Sequence, residues 1–317
     1  MTRHVLRLVL ARVAAAVPVA FGLLLCSFLL IRFVPGGPFD RVRALTPEVR
    51  HNLEHRYRLD RPLGAQFAAY VSALAHGDLG ESLSQPGREV RDVLADGAAL
   101  TLTVGGLALA LAVAFGVPLG LVAAARDPGQ GPGVAAVVMA LLQALPTFVV
   151  APCLVLVFGL GLRWLPVGGY SGRPLELVLP AVTLSLVPLA ELARFTEVRA
   201  RAVQAKPFVR AARLRGLGDW VVLCHYVLPP TLLPVIAYAG PLAAGVLAGS
   251  LVTERVFGLP GTGAYLVDGA LARDYPLVLG ASLAYLGLVL VLTLAADLAA
   301  LALDPAARRG VDPREAG

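Results

Sequence analysis

The chain has 317 residues, of which 57% are hydrophobic and 15% charged, with a mean hydropathy of +0.76. Soluble domains run near 45–50% apolar and about 25% charged, so this composition argues against a soluble enzyme and for a chain with several membrane spans. The net charge is +6, carried by arginines and one lysine, Lys206. Pro207 follows that lysine, so no G-x-x-x-x-G-K-[ST] phosphate loop exists and the chain carries no P-loop ATPase of its own. The basic residues lie between apolar runs, which points to membrane topology and not to nucleic acid. Cys26, Cys153 and Cys224 show no C-x-x-C spacing; the first two lie in apolar runs and read as small hydrophobes.

Uncharged stretches at 13–31, 97–125, 128–162, 177–190, 220–253 and 275–296 predict six transmembrane helices, since a span needs roughly 20 apolar residues. The fourth is short and must extend through Glu191 and Arg194 to cross. The third and fifth exceed one span, so each includes a loop or an interfacial segment, with breaks or kinks expected at Pro146 and Pro234. Arg3, Arg7 and Arg12 precede a 19-residue apolar run, and no A-x-A site follows that run before Arg32, which predicts an uncleaved signal anchor.

With the N-terminus inside, the cytoplasmic pieces are 1–12, 124–132, 194–219 and 304–317, holding 3, 1, 7 and 3 basic residues. The short outer loops 163–176 and 254–274 hold only Arg163, Arg173, Arg255 and Arg273. The positive-inside rule therefore puts both termini in the cytoplasm. The domain reading is a tail and first span at 1–34, an extracytoplasmic helical segment at 35–96, a core at 97–303 and a tail at 304–317. Within 35–96, Thr46-Pro47-Glu48 opens a helix that carries Val49, Leu53 and Tyr57.

Residues 205–230 read as a pair of short helices. Pro207 sits in a first turn, followed by a small apolar face of Phe208, Ala211 and Ala212 and a basic face of Arg210 and Arg213. Gly216 and Gly218 end this helix and Asp219 caps the next, which Pro229 and Pro230 stop or bend. The two alanines would let another protein's groove approach the backbone, with arginines at the rim for its carboxylates. The same composition also fits a plain cytoplasmic loop rich in arginine.

Here the residues carry a resemblance. Arg210-Ala211-Ala212, then Gly216-Leu217, His225 and Leu228-Pro229, look like the EAA loop of ABC importer permeases, with Arg210 where that pattern usually opens on Glu. The likeness extends over nearly the whole chain. It includes Phe33-Val34-Pro35-Gly36-Gly37-Pro38, Leu59-Asp60-Arg61-Pro62-Leu63, His76-Gly77-Asp78-Leu79-Gly80 and Leu145-Pro146-Thr147-Phe148. It continues through Trp164-Leu165-Pro166, Gly258-Leu259-Pro260-Gly261-Thr262-Gly263, Arg273-Asp274-Tyr275-Pro276 and Leu303-Asp304-Pro305. Together these resemble the B-type permease subunit of peptide, nickel and opine ABC importers. Pro38-Phe39-Asp40, Tyr57-Arg58-Leu59-Asp60 and Val149-Val150-Ala151-Pro152 are most similar to the oligopeptide branch.

The resemblance implies an all-α, six-helix type I importer fold in the bacterial inner membrane, with no catalytic residue or cofactor on this chain. It implies a homologous second permease as partner and two cytoplasmic ATPases that use ATP and Mg. An extracytoplasmic binding protein would deliver the peptide. The ATPase-coupling loop, within 197–228, would be Phe208, Arg210, Ala211, Ala212, Arg213, Gly216 and Leu217. The outer gate or binding-protein dock would involve Glu254, Gly258, Pro260, Gly261 and Gly263, with an interfacial anchor as the plainer role for Glu254. Dipeptides, nickel or another small solute are alternative cargo.

Other patterns are weaker. His51-Asn52-Leu53-Glu54-His55 matches the H-x-x-E-H of zinc peptidases but also a solvated helix; a gradient-driven transporter is the third class to weigh. Gly116/Gly120 and Gly245/Gly249 are small-x-x-x-small pairs suited to close helix packing. Glu191 and Arg194 are spaced to neutralise each other, and Asp297 in the last span calls for a partner.

Overall fold

A computed structural model describes residues 2–33, 48, 51–52, 55, 60–126 and 133–303. The motifs at 34–40 and 57–59, the helix start at 46–47 with Val49, Leu53 and Tyr57, Glu54, and the tail 304–317 lie outside the described residues.

The described chain is built from helices. In order these are α1 (Thr2–Phe33), α2 (Leu63–Ala75), α3 (Val90–Ala125), α4 (Val134–Ala144) and α5 (Thr147–Leu154). Then come α6 (Val178–Gln204), α7 (Pro207–Leu214), α8 (Asp219–Val222), α9 (Leu228–Phe257), α10 (Thr262–Ala272) and α11 (Tyr275–Leu303). Two π-helical turns, Val155–Gly161 and Leu223–Val227, follow α5 and α8. Among the described residues, β pairing is limited to an isolated bridge between Glu81 and Glu89.

Among the described residues, five helices are long and apolar enough to cross a membrane: Leu8–Phe33, Val90–Ala125, Pro174–Gln204, Asp219–Tyr238 and Tyr275–Ala299. Two bent pairs raise the number to seven if each is one span: Val134–Ala144 with Thr147–Gly161, at 100°, and Gly240–Phe257 with Thr262–Ala272, at 71°. The stretch expected to hold the third span is thus a broken helix. Leu145 before Pro146 is extended (φ −89°, ψ 115°), as the crowding of a following proline ring demands. In the fifth stretch the expected break at Pro234 does not occur. The candidate spans part between Tyr238 and Gly240, just before Pro241, whose ring displaces the carbonyl four residues back. Pro229 and Pro230 do not stop the chain either; they follow the π-helical turn Leu223–Val227 directly, and the helix continues through them.

The chain divides into two compact units, one of Val13–Thr101 and Leu259–Leu288, the other of Met1–Arg12, Leu102–Gly258 and Val289–Gly317. In the first, Leu24, Phe28 and Leu279 pack with Phe67, Tyr70 and Leu74, and Val90, Val93 and Leu94 pack with Leu277 and Ala281. The guanidinium of Arg32 lies 4.1 Å over the Tyr275 ring and donates to Gln66 Oε1. Asp274, completely buried, ties the start of α11 to a turn before α3. Its Oδ2 accepts from Ser82 Oγ at 2.5 Å, Ser84 N at 2.9 Å and Ser84 Oγ at 2.8 Å, and its Oδ1 accepts from Leu277 N at 3.1 Å.

In the second unit α3 lies directly against α6, because Gly116 and Gly120 present no side chain there. A Cβ at Gly116 would stand 2.7 Å from Leu189 O, and one at Gly120 2.7 Å from Thr196 Cβ. Gly249 is near Leu184, whereas Gly245 faces open space. The end of α6 caps α3: Arg201 Nη2 and Gln204 Nε2 donate to the carbonyls of Ala123 and Ala124 at 3.3 and 3.2 Å. Arg194 turns toward Glu197 (3.6 Å) and not toward Glu191, because Glu197 is buried and needs compensating charge; Arg201 approaches it to 2.9 Å. Asp297 finds its partner in Arg12, 2.7 Å away.

Candidate functional site

The loop singled out by sequence is a compact lever. Only Ala205 and Lys206 separate α6 from α7, and both are tied back, Ala205 N to Arg201 O at 3.2 Å and Lys206 N to Val203 O at 3.0 Å. Pro207 opens α7 as expected, after an extended Lys206. Gly216 closes the turn after it at φ +79°, a conformation that costs a side-chain-bearing residue about 1 kcal/mol. Gly218, and not Asp219, is the N-cap of α8; Asp219 is its first residue. The helix then continues through the π-turn into α9 without a loop.

The face of α7 that packs differs from the sequence expectation. Val209 and Ala212 are the buried pair, at 0% and 1% exposure, set among Ala200, Val222 and Val227. Ala212 is therefore occupied inside its own unit and not open to a partner's groove. Ala211 is half-buried, and Leu217 is half-buried against the same core. Phe208 points outward at 46% exposure, and so do two residues the sequence expectation did not include, Leu214 at 89% and Trp220 at 72%. Arg210, Arg213 and Arg215 are exposed around them. Large apolar side chains and guanidinium groups are thus exposed together along the α7–α8 segment, apolar surface that water disfavours. Leu214 was visible as an apolar residue between two arginines, but the reading followed the alanines.

The outer group falls around the ends of α9 and α10. Gly258 caps α9 in the left-handed region (φ +64°, ψ 35°) and is exposed, as is Pro260. Gly261 is the buried N-cap of α10, and Gly263 is buried one turn on. Glu254 has no exposed surface, so direct contact with a docked protein requires that it be uncovered first. The end of α9 is held from outside by Gly169 N, which donates to Phe257 O at 2.7 Å. Thr262 N, opening α10, donates to Thr101 Oγ1 at 2.9 Å.

His51 and His55 are exposed helical residues. His76 and His225 face the carbonyls of Ser72 and Val221 through Nδ1. Among the described residues no group of three His, Cys, Asp or Glu side chains is placed to hold a metal.

The helical architecture and the α7–α8 lever can be set beside known proteins. Residues 116–309 match the family described as binding-protein-dependent transport system inner membrane component. The chain belongs to this family. It is 40% identical over 275 residues to the oligopeptide transport system permease protein OppB of Salmonella typhimurium, covering 86% of this chain and 90% of that one. OppB of Haemophilus influenzae is 36% identical over 304 residues, covering 96% and 99%. The dipeptide transport system permease protein DppB of Bacillus subtilis is 33% identical over 279 residues, covering 88% and 90%. A solved structure titled "Crystal structure of an amino acid ABC transporter with histidines" shares the fold. It superposes with a TM-score of 0.50 at 16% identity, over 69% of this chain and 94% of that one. As a binding-protein-dependent transport component, the chain is a multi-pass inner-membrane permease subunit of an ABC importer. The all-α architecture expected from sequence is the architecture found.

Proposed function

We propose that this permease imports oligopeptides as one half of a heterodimeric pathway. A homologous second permease completes the pathway, two ATPases supply ATP- and Mg-dependent energy, and an extracytoplasmic peptide-binding protein delivers the cargo. The chain itself is non-catalytic in this reading. The observation that carries it is the 40% identity to an oligopeptide permease across 86% of the chain. The basic residues of 194–219 support a cytoplasmic position for the α7–α8 lever and for both termini.

In this mechanism the ATPases grip Phe208 and Leu214, while Arg210 meets carboxylates at the rim and Arg213 reaches across the turn toward Asp219. Ala211, Gly216 and Leu217 fix the shape of the turn, and Val209 and Ala212 root it in the membrane unit. With only Ala205 and Lys206 between α6 and α7, closure of the ATPase dimer displaces the end of α6 and, through the turn and α8, the start of α9. That displacement biases a two-state rocking of the helices between inward and outward access. At the other face, Glu254, Gly258, Pro260, Gly261 and Gly263 form the gate on which the binding protein acts.

The test is a tagged purification from native membranes with mass spectrometry of what accompanies the chain. Recovery of a second permease, ATPases and a peptide-binding protein is expected; a chain that transports alone on an ion gradient would overturn the reading. Dipeptides are a second cargo, favoured by the 33% identity to DppB. Stimulation of ATP hydrolysis by peptides of graded length separates the two.

A further inference from the structure

A cavity of about 610 Å³ lies beside the α7–α8 lever, within the second unit. It is large enough for a small molecule, for which sites run about 300–1,000 Å³. Its walls come from the places where three candidate spans end or begin: Val122 and Ala125 on α3 with Arg126 just beyond it, Arg201 and Gln204 on α6, and Asp219 and Trp220 on α8. The cavity therefore lies at the depth where a bilayer's apolar core gives way to headgroups. Arg126, Arg201 and Arg213 line it against a single carboxylate, Asp219, so the lining carries three positive charges and one negative. Val122 and Ala125, both exposed, add apolar surface on one side.

Two details concern the arginines. Arg201 engages Glu197 and Ala123 O through Nη2, while its buried Nε has no acceptor among the described residues. Arg213 reaches Asp219 only at 4.0 Å, and both remain exposed, so the guanidinium can turn to a better anion. Trp220 stands at the rim, the side-chain type that gathers at headgroup level.

We propose that this cavity binds the phosphate headgroup of an anionic phospholipid. Arg201 and Arg213 hold the phosphate, and Val122 and Ala125 receive the first methylenes of the acyl chains. Basic pockets between transmembrane helices take such headgroups because phosphate matches the guanidinium fork and the site is already at the right depth. A soluble phosphate shares that recognition but would leave the apolar wall uncovered. The site is separate from the outward patch of Phe208 and Leu214, so lipid would brace the lever from the membrane side while the ATPases load it. This inference rests on the family's membrane placement and not on the peptide reading.

The test uses the full chain in nanodiscs of phosphatidylethanolamine. The chain has two tryptophans, so Trp164→Phe leaves Trp220 as the sole reporter. Titration with phosphatidylglycerol should give a saturable change in its emission. Arg213→Gln should weaken the response about fivefold and Asp219→Asn should strengthen it by a similar factor, as expected for one charge near a lipid surface. Arg213 is the variant of choice because losing Arg201 would leave the buried Glu197 uncompensated. Equal responses in all three proteins, or an equal response to phosphatidylcholine, would overturn the proposal. An equal response to millimolar inorganic phosphate would assign the cavity to a soluble anion, and a response to the ATPases alone would assign it to protein docking; either refutes the lipid.

Discussion

Replacing Gly120 with alanine should loosen the second unit from within. The new Cβ would stand 2.7 Å from Thr196 Cβ and nearer still to the Ala193 carbonyl oxygen. Neither obstacle can rotate away, so α3 and α6 must move apart locally. Overpacking of this kind costs about 1–3 kcal/mol. Gly106, on the same helix, has nothing within 4 Å of its would-be Cβ, and alanine there gains about 0.5–1 kcal/mol of helix propensity. The two alanine variants should therefore differ by about 2–4 kcal/mol, with Gly120→Ala the less stable. Unfolding of each purified protein in mixed micelles, followed by circular dichroism against sodium dodecyl sulfate fraction, measures that difference. Gly245→Ala, also facing open space, should behave like Gly106→Ala. If Gly120→Ala unfolds at the same midpoint as Gly106→Ala, the close approach of α3 and α6 is wrong.

Leu214→Asp should leave the chain inserted and stable yet abolish peptide-stimulated ATP hydrolysis in the reconstituted transporter, because Leu214 contacts almost nothing in its own chain. Ala212→Arg should instead lower the melting temperature, since it forces a charge into the core around Val209; comparing expression and melting of the two separates docking from packing. Asp274→Ala removes the acceptor of four buried or half-buried donors and should cost about 3 kcal/mol, more than Ser82→Ala, which removes one donor. Thermal unfolding checks this. Asp297→Leu should reduce insertion yield by leaving Arg12 without its counter-charge in the span, and Arg12→Leu in the same chain should restore it; a double-mutant cycle on membrane yield reads the coupling.

Which parts of this were legible in the sequence follows from what each feature depends on. The apolar stretches gave away the spans because crossing a bilayer is a one-dimensional requirement on length and composition. Pro146 marked a true break for the same local reason. Pro234 and Pro241 could not be ranked, since whether a proline bends or merely interrupts one hydrogen bond depends on the helices packed around it. Arg194 had carboxylates three residues away on either side, and burial of Glu197 decided between them; burial is a property of the neighbouring α3 and α6 surfaces. Glu254 was recognisable as a charge at a span's end, but its complete enclosure was not.

The lever shows the limit most clearly. Phe208 and Val209 are adjacent apolar residues on a short helix, about 100° apart around its axis, and either could have faced the core. The choice falls on Val209 because the two-residue tether from α6 fixes the rotation of α7 before packing is counted. Once Val209 and Ala212 are inside, Phe208 and Leu214 are forced out, and an eight-residue helix is left apolar on two sides. For an isolated domain that arrangement is a liability. For an element that must be rooted in one body while another pulls on it, two apolar faces are what the task requires. One face of α7 packs on Ala200, Val222 and Val227, and the other stays exposed for the partner proposed above.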